Sequence, residues 1–274
     1  MPYRIHNYAH NNEWLTRSLG YVGRAHDALS LAKNMVELPR HPKYNKLSSR
    51  GSGAYYGRLR LYEILSQYEM WEEVLALAET PYLEASADDD ETQQVKRLRL
   101  LGAANFALGN IEPGRERLAT TQQKLEEIQE KQTKAGADAE KKAQDAKKSD
   151  KEIAKAKTDA EKKFTSQVNR WQAAVNELSA WLAAAEGRHK EALELAAKVS
   201  DLSKERLSQF QLAAGEHEKA IATAKAARTS GVNQVYPLAN YVDVLYRGGK
   251  TTEAADEFAK LHTHGATLDA DLRS

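Results

Sequence analysis

The chain contains no cysteine. That excludes disulfides, thiolate metal sites and a cysteine nucleophile, and it leaves the redox compartment open. Proline (6) and glycine (15) are scarce in 274 residues, and β-branched runs are nearly absent, which argues against a sheet protein. No window of about 18 apolar residues occurs, so no membrane span is expected. The N-terminal stretch MPYRIHNYAHNNEWL lacks the apolar core of a signal peptide. An excess of either charge is also missing: 40 Lys and Arg stand against 39 Asp and Glu. Without a basic excess or stripe, nucleic acid is not an expected partner.

What is abundant is Ala, Leu, Glu, Lys and Gln, the strong helix formers. The chain therefore reads as all-α. Within it a ten-residue unit recurs: GRAHDALSLA at Gly23, GRHKEALELA at Gly187, GEHEKAIATA at Gly215 and GKTTEAADEF at Gly249. In each, glycine suits the left-handed turn that ends one helix. Five residues on stands a small side chain, Ala28, Ala192, Ala220 or Ala254, where two helices can pack closely. Two degenerate copies complete the series. EMWEEVLALA carries Trp71 and Val74, and GNIEPGRERL runs from Gly109 with Gly114 at the small position.

This pattern resembles the tetratricopeptide repeat, a helix-turn-helix unit of about 34 residues. Leu98, Leu101 and Gly102 match the apolar, leucine and small positions of its first helix, and Phe258 matches the aromatic of its second. The resemblance implies an α-solenoid of about six helix pairs. It departs from the family in the short Gly187–Gly215 interval and in the missing terminal prolines. Gly109 and Gly187 lie 78 residues apart, about 44 more than one repeat needs. Shared equally, that excess lengthens each flanking helix by about 22 residues, roughly 33 Å. Ser149-Asp150, followed by Glu152, stands at the midpoint as a turn and N-cap. The expected organisation is repeats over 1–112, a protruding antiparallel coiled-coil hairpin over 113–186, and repeats over 187–274.

The hairpin seam is expected to run from Leu118, Leu125 and Ile128 against Phe164, Val168, Trp171 and Val175 at its base. Toward the tip it becomes Ala135, Ala139, Ala143 and Ala146 against Ile153, Ala156 and Ala160. An alanine seam buries little, at about 25 cal/mol per Å², so the tip should fray. The other readings are a charged disordered linker, against which the near absence of Gly and Pro over 115–186 argues, and one continuous rod. Of the loops, LPRHPKYNKLSSRGSG stops a helix with Pro39, Pro42, Gly51 and Gly53. Asp88, Asp89 and Asp90 form an acidic N-cap or, less simply, a calcium site without the glycine-centred spacing of a calcium loop.

Catalytic motifs are missing. No G-x-S-x-G elbow occurs, GNIEPGRER lacks the Lys-Ser/Thr of a phosphate loop, and HEKAI at His217 lacks the second histidine of a zinc protease. His6 and His10, four apart, could face one metal only with a third ligand such as His26 or Glu13; a surface or capping pair is the plainer reading. His262 and His264 suit a helix C-terminus. No cofactor is called for, and the expectation is a non-catalytic scaffold.

The resemblance places a partner groove on His10, Glu13, Tyr56, Glu63, Lys96, Arg99, Phe106, Trp181, Gln209, Tyr236, Asp243 and Arg247. Trp181 has packing between helices as an alternative role. The family's carboxylate clamp is absent from the corresponding first positions, which read His10, Glu13, Arg17, Tyr56, Leu59 and Glu63. The expected partner is a protein or peptide, and self-association through the arm is a weaker expectation. A repeat region of a larger, exported or multidomain enzyme is the alternative. The cytoplasm is the default compartment, and the periplasm or exterior follows if the chain is part of a longer precursor.

Overall fold

A computed structural model describes residues 6–87 and 89–263. Among them the chain is all-α, with thirteen helices and no strand. The helices are α1 (His6–Tyr21), α2 (Ala25–Glu37), α3 (Gly53–Gln67), α4 (Trp71–Leu77), α5 (Glu91–Ala107), α6 (Ile111–Asp145) and α7 (Asp150–Lys162). They continue with α8 (Thr165–Ala185), α9 (His189–Ala196), α10 (Lys204–Ala213), α11 (His217–Ser230), α12 (Val235–Arg247) and α13 (Thr251–Thr263). No helix among the described residues is long and apolar enough to cross a membrane.

One turn joins six successive helix pairs. Gly23, Gly109, Gly187, Gly215 and Gly249 all hold φ between 75° and 83°, where a Cβ would be strained. After each, the next N–H reaches back five residues, as in Arg24 to Leu19 O (2.9 Å) and Arg188 to Ala183 O (2.8 Å). This is the Schellman closure of a helix end. Glu69 takes the same place between α3 and α4 with φ 52°, so that degenerate copy keeps the geometry without the glycine. The residue five on is buried in every pair: Ala28, Val74, Ala192, Ala220 and Ala254 are at most 4% exposed, and Gly114 is buried with them. Small size there lets the paired helices approach. At Gly114 an added Cβ would lie 2.4 Å from the Phe106 ring.

The long insertion is a helical hairpin. Leu118 clusters with Leu178 and Leu182, and Leu125 with Trp171 and Ala174. Further out, Gln132 donates to Glu161 O (3.1 Å) and Lys157 pairs with Glu140 (2.9 Å). Partner numbers fall as the α6 number rises, so the legs run antiparallel. Ala143 is 4% exposed in the seam; Ala135, Ala139, Ile153, Ala156 and Ala160 are half-buried, and Ala146 is exposed. The turn lies at residues 146–149, where the Glu152 carboxylate accepts from the Ser149 N–H (3.0 Å) and hydroxyl (2.6 Å).

Several expectations need correction. The returning leg is two helices rather than one, because Phe164 N–H bonds the carbonyl three residues back, at Glu161 (3.0 Å), and tightens the chain into a break. Gly53 opens α3 behind the Ser52 cap instead of ending a helix. Phe258, matched to a packed aromatic, is 53% exposed. Asp88 and His264 lie outside the described residues, as do the side chains of His6 and His262. Of the acidic run, Asp90 caps α5 by accepting from Gln93 N–H (2.9 Å). Asp89 is buried against Arg58 at 2.6 Å.

Candidate functional site

Segments distant in sequence meet around one concavity of about 480 Å³. Tyr68 at the end of α3 touches the ring of Tyr236 on α12, with centroids 5.8 Å apart. Arg206 on α10 crosses back to Glu69 (2.7 Å). Its guanidinium lies 4.8 Å from the Trp181 ring centre and 5.5 Å from that of Trp71. Trp71 and Trp181 meet edge to face at 5.6 Å, and Trp181 meets Phe210 at 5.7 Å. An arginine held between two indoles and a carboxylate is a desolvated cation–π contact, stronger than its exposed counterpart. It fastens the first half of the chain to the second.

The remaining charges of the wall are largely paired. Arg60 is shared between Glu13 and Glu63. Arg99 donates through Nη1 and Nη2 to Asp201 (2.6 and 3.2 Å) and through Nε to Glu177. Burial opposes ionisation of both Arg99 and Asp201. The charge of Glu177 and the bonds to Asp201 outweigh it at Arg99 and raise its pKa, and the bonds from Arg99 hold Asp201 below the ordinary carboxylate value. Arg17 bonds the Tyr21 hydroxyl (3.0 Å), which with Glu13 and Glu63 nearby raises its pKa against the opposing effect of burial. Burial pushes Tyr236 up to about 12. The Trp181 Nε1 donor is buried without a hydrogen-bond partner.

Five of the twelve expected groove residues line this concavity: Glu63, Lys96, Arg99, Trp181 and Tyr236. Glu13 is 4% exposed and lines no part of the concavity itself; it acts on the wall through its pairing with Arg60 and its charge near Arg17. Gln209, Asp243 and Arg247 are joined elsewhere in one network. Gln209 Nε2 donates to Asn240 (2.8 Å) and Asp243 (3.0 Å), and Arg247 donates to Gln209 Oε1 (3.0 Å). His10 lies edge-on to Trp14 at 5.8 Å, and Tyr56 to Tyr55 at 6.1 Å; neither lines the concavity. Phe106 is a correction. At 2% exposure it fills the space over Gly114 and reaches no groove.

Sequence reasoning missed Arg206, Arg60, Asp201 and Glu177. Arg206 stands one helical turn before Gln209, so the available signal was a face of α10 shifted by one turn. That face lies within the short Gly187–Gly215 interval. Trp71, expected as a packing residue, does pack against the core of the first helix pairs, but it is only half-buried and also lines the wall. Among the described residues no group of three or more His, Asp or Glu side chains is placed to hold a metal ion. The arrangement offers aromatic faces and paired charges. Comparison of this chain with family models, with curated proteins and with solved structures gives no match.

Proposed function

We propose that the chain is a tetratricopeptide-like scaffold that binds an extended peptide or protein segment in the concavity between its helix pairs, without catalysis. The observation that carries this reading is the wall itself. Helices α3, α4, α5, α8, α10 and α12 each contribute to one concave surface, as expected where stacked helix pairs build a binding face. Aromatic and arginine side chains, the residue types that anchor interfaces, concentrate there as Trp71, Trp181, Tyr236, Arg99 and Arg206. Cations and carboxylates alternate around it, which suits a ligand of mixed charge whose binding weakens moderately with salt.

Peptides selected on the full chain from a random library, then titrated by fluorescence polarisation, test the reading. Lys96→Glu and Trp181→Ala should each weaken the selected peptides by about tenfold or more, with the helical circular-dichroism signal retained. Selected peptides that bind both variants as well as the unaltered chain would place recognition elsewhere. A steep loss of affinity with salt would replace the peptide by a polyanion.

A further inference from the structure

The end of the α6–α7 hairpin carries a charge pattern absent from the rest of it. Residues 141–155 hold six lysines (Lys141, Lys142, Lys147, Lys148, Lys151 and Lys155) against Asp145, Asp150 and Glu152. In the legs below, residues 113–140 and 156–186, nine cations face ten carboxylates. The excess is therefore confined to the tip. All six lysines are exposed. Lower down, Lys124 pairs with Glu127 and Lys157 with Glu140, each at 2.9 Å; among the described residues no such pair ties any of the six. Glu152 is already taken up by the N–H and hydroxyl of Ser149.

Placement adds a direction. Lys147 and Lys148 sit in the turn itself, Lys142 stands about one turn back on α6, and Lys151 is the second residue of α7. They crown the blunt end of the hairpin instead of striping one side of it. No residue of α7 is buried, and α7 packs on α6 and, at its end, on α8, so the tip stands clear of the helix pairs. The tip also lacks what other partners require. It has no aromatic side chain to stack on a base or anchor a protein, and no arginine to fork onto a phosphate or carboxylate. Its one large apolar residue, Ile153, is half-buried in the seam. What remains is flexible point charge facing outward, which suits a broad anionic plane that imposes no geometry.

We propose that the hairpin tip rests on an anionic lipid surface, its lysines among the headgroup charges, and that the arm holds the helix pairs away from that surface. This does not depend on the peptide reading of the concavity. The experiment is co-sedimentation of the full chain with phosphatidylcholine vesicles, with and without phosphatidylserine, at low and high salt. The expected result is binding to the anionic vesicles alone, lost at high salt. Joint replacement of Lys142, Lys147, Lys148 and Lys151 by Gln should weaken it by about tenfold or more, and joint replacement by Arg should retain it. Because the tip buries almost nothing, the melting curve of the Gln variant should overlay that of the unaltered chain, which separates lost charge from lost fold. The proposal is overturned if anionic vesicles fail to bind the chain at low salt. It is overturned equally if neutral vesicles bind as well, or if the Gln variant binds unchanged. Tighter binding of a DNA duplex or an acidic polypeptide through the same lysines also ends it.

Discussion

The turns of the helix-pair body and the turn at the hairpin tip share one backbone geometry and differ in everything around it. At Gly109 the chain holds φ 75° and Asn110 N–H reaches Asn105 O at 2.8 Å. At Lys147 it holds φ 52° and Lys148 N–H reaches Ala143 O at 3.1 Å. In the body each such turn brings the residue five positions on into a buried helix contact, Ala28 and Ala220 being fully covered. At the tip the following helix has no fully buried residue. A left-handed helix cap is thus a local device that short stretches can specify anywhere. It becomes part of a stable fold only where neighbouring helices remove apolar surface from water.

The comparison breaks hardest at the buried ion pair. Arg58 and Asp89 have side chains 0% and 2% exposed, 2.6 Å apart, and Arg58 also donates to Glu84 O (2.6 Å) and Pro81 O (3.2 Å). Arg58→Met leaves the Asp89 carboxylate buried without its partner and should cost about 3–5 kcal/mol. Chemical denaturation followed by circular dichroism measures it. A cost near zero would show that this loop opens to water.

Alkali should come next. Tyr236, lifted by burial to about 12, stays neutral in the fold while its unfolded counterpart ionises near 10. The stability this gives is complete below pH 10 and is lost as pH rises toward 12. Tyr62, more deeply buried, shifts in the same direction. Melting temperature should fall over that window, and Tyr236→Phe should flatten the fall. An identical fall in the variant would assign it to other groups.

Overpacking distinguishes the body from the arm more finely. A Cβ at Gly102 would lie 2.5 Å from Leu178 Cδ2, within the contact of α5 with α8. Gly102→Leu should therefore cost about 1–3 kcal/mol. The two turns can then be exchanged. Gly109→Ala meets no atom within 4 Å, so only its left-handed backbone opposes it, at about 1–2 kcal/mol. Lys147→Gly should relieve the corresponding strain at the tip, yet leave the melting temperature in place and slow amide exchange only around residues 143–151. A global rise in stability would mean that the tip is coupled to the body.

The smallest effect belongs to excision. Replacing residues 133–160 by a short Gly-Asn turn keeps the leucine and tryptophan contacts at the base of the hairpin. Much helical signal should vanish while the melting temperature barely moves. A large drop would show the distal hairpin to be part of the cooperative unit.

The local parts of this protein were legible in its sequence because short-range chemistry determines them. Glycine at Gly23, Gly187, Gly215 and Gly249 announced the left-handed turns, the alanines five residues on announced the packed face, and Ser149 with Glu152 announced the tip. The excess length between Gly109 and Gly187 was enough to set the hairpin's midpoint. Even the degenerate turn at Glu69 was legible, through the residues that follow it. Only the tertiary structure decided where the helix pairs come to face one another. That Arg206 reaches Glu69 and lies between Trp71 and Trp181, that Tyr68 meets Tyr236, and that Phe106 turns into the core instead of the groove depend on contacts between residues that can be more than a hundred positions apart. Such contacts depend on how each helix pair packs on the others, along the whole chain. No local pattern encodes that packing, because a shift of one helical turn in α10 leaves every repeat intact and changes which side chain faces the concavity.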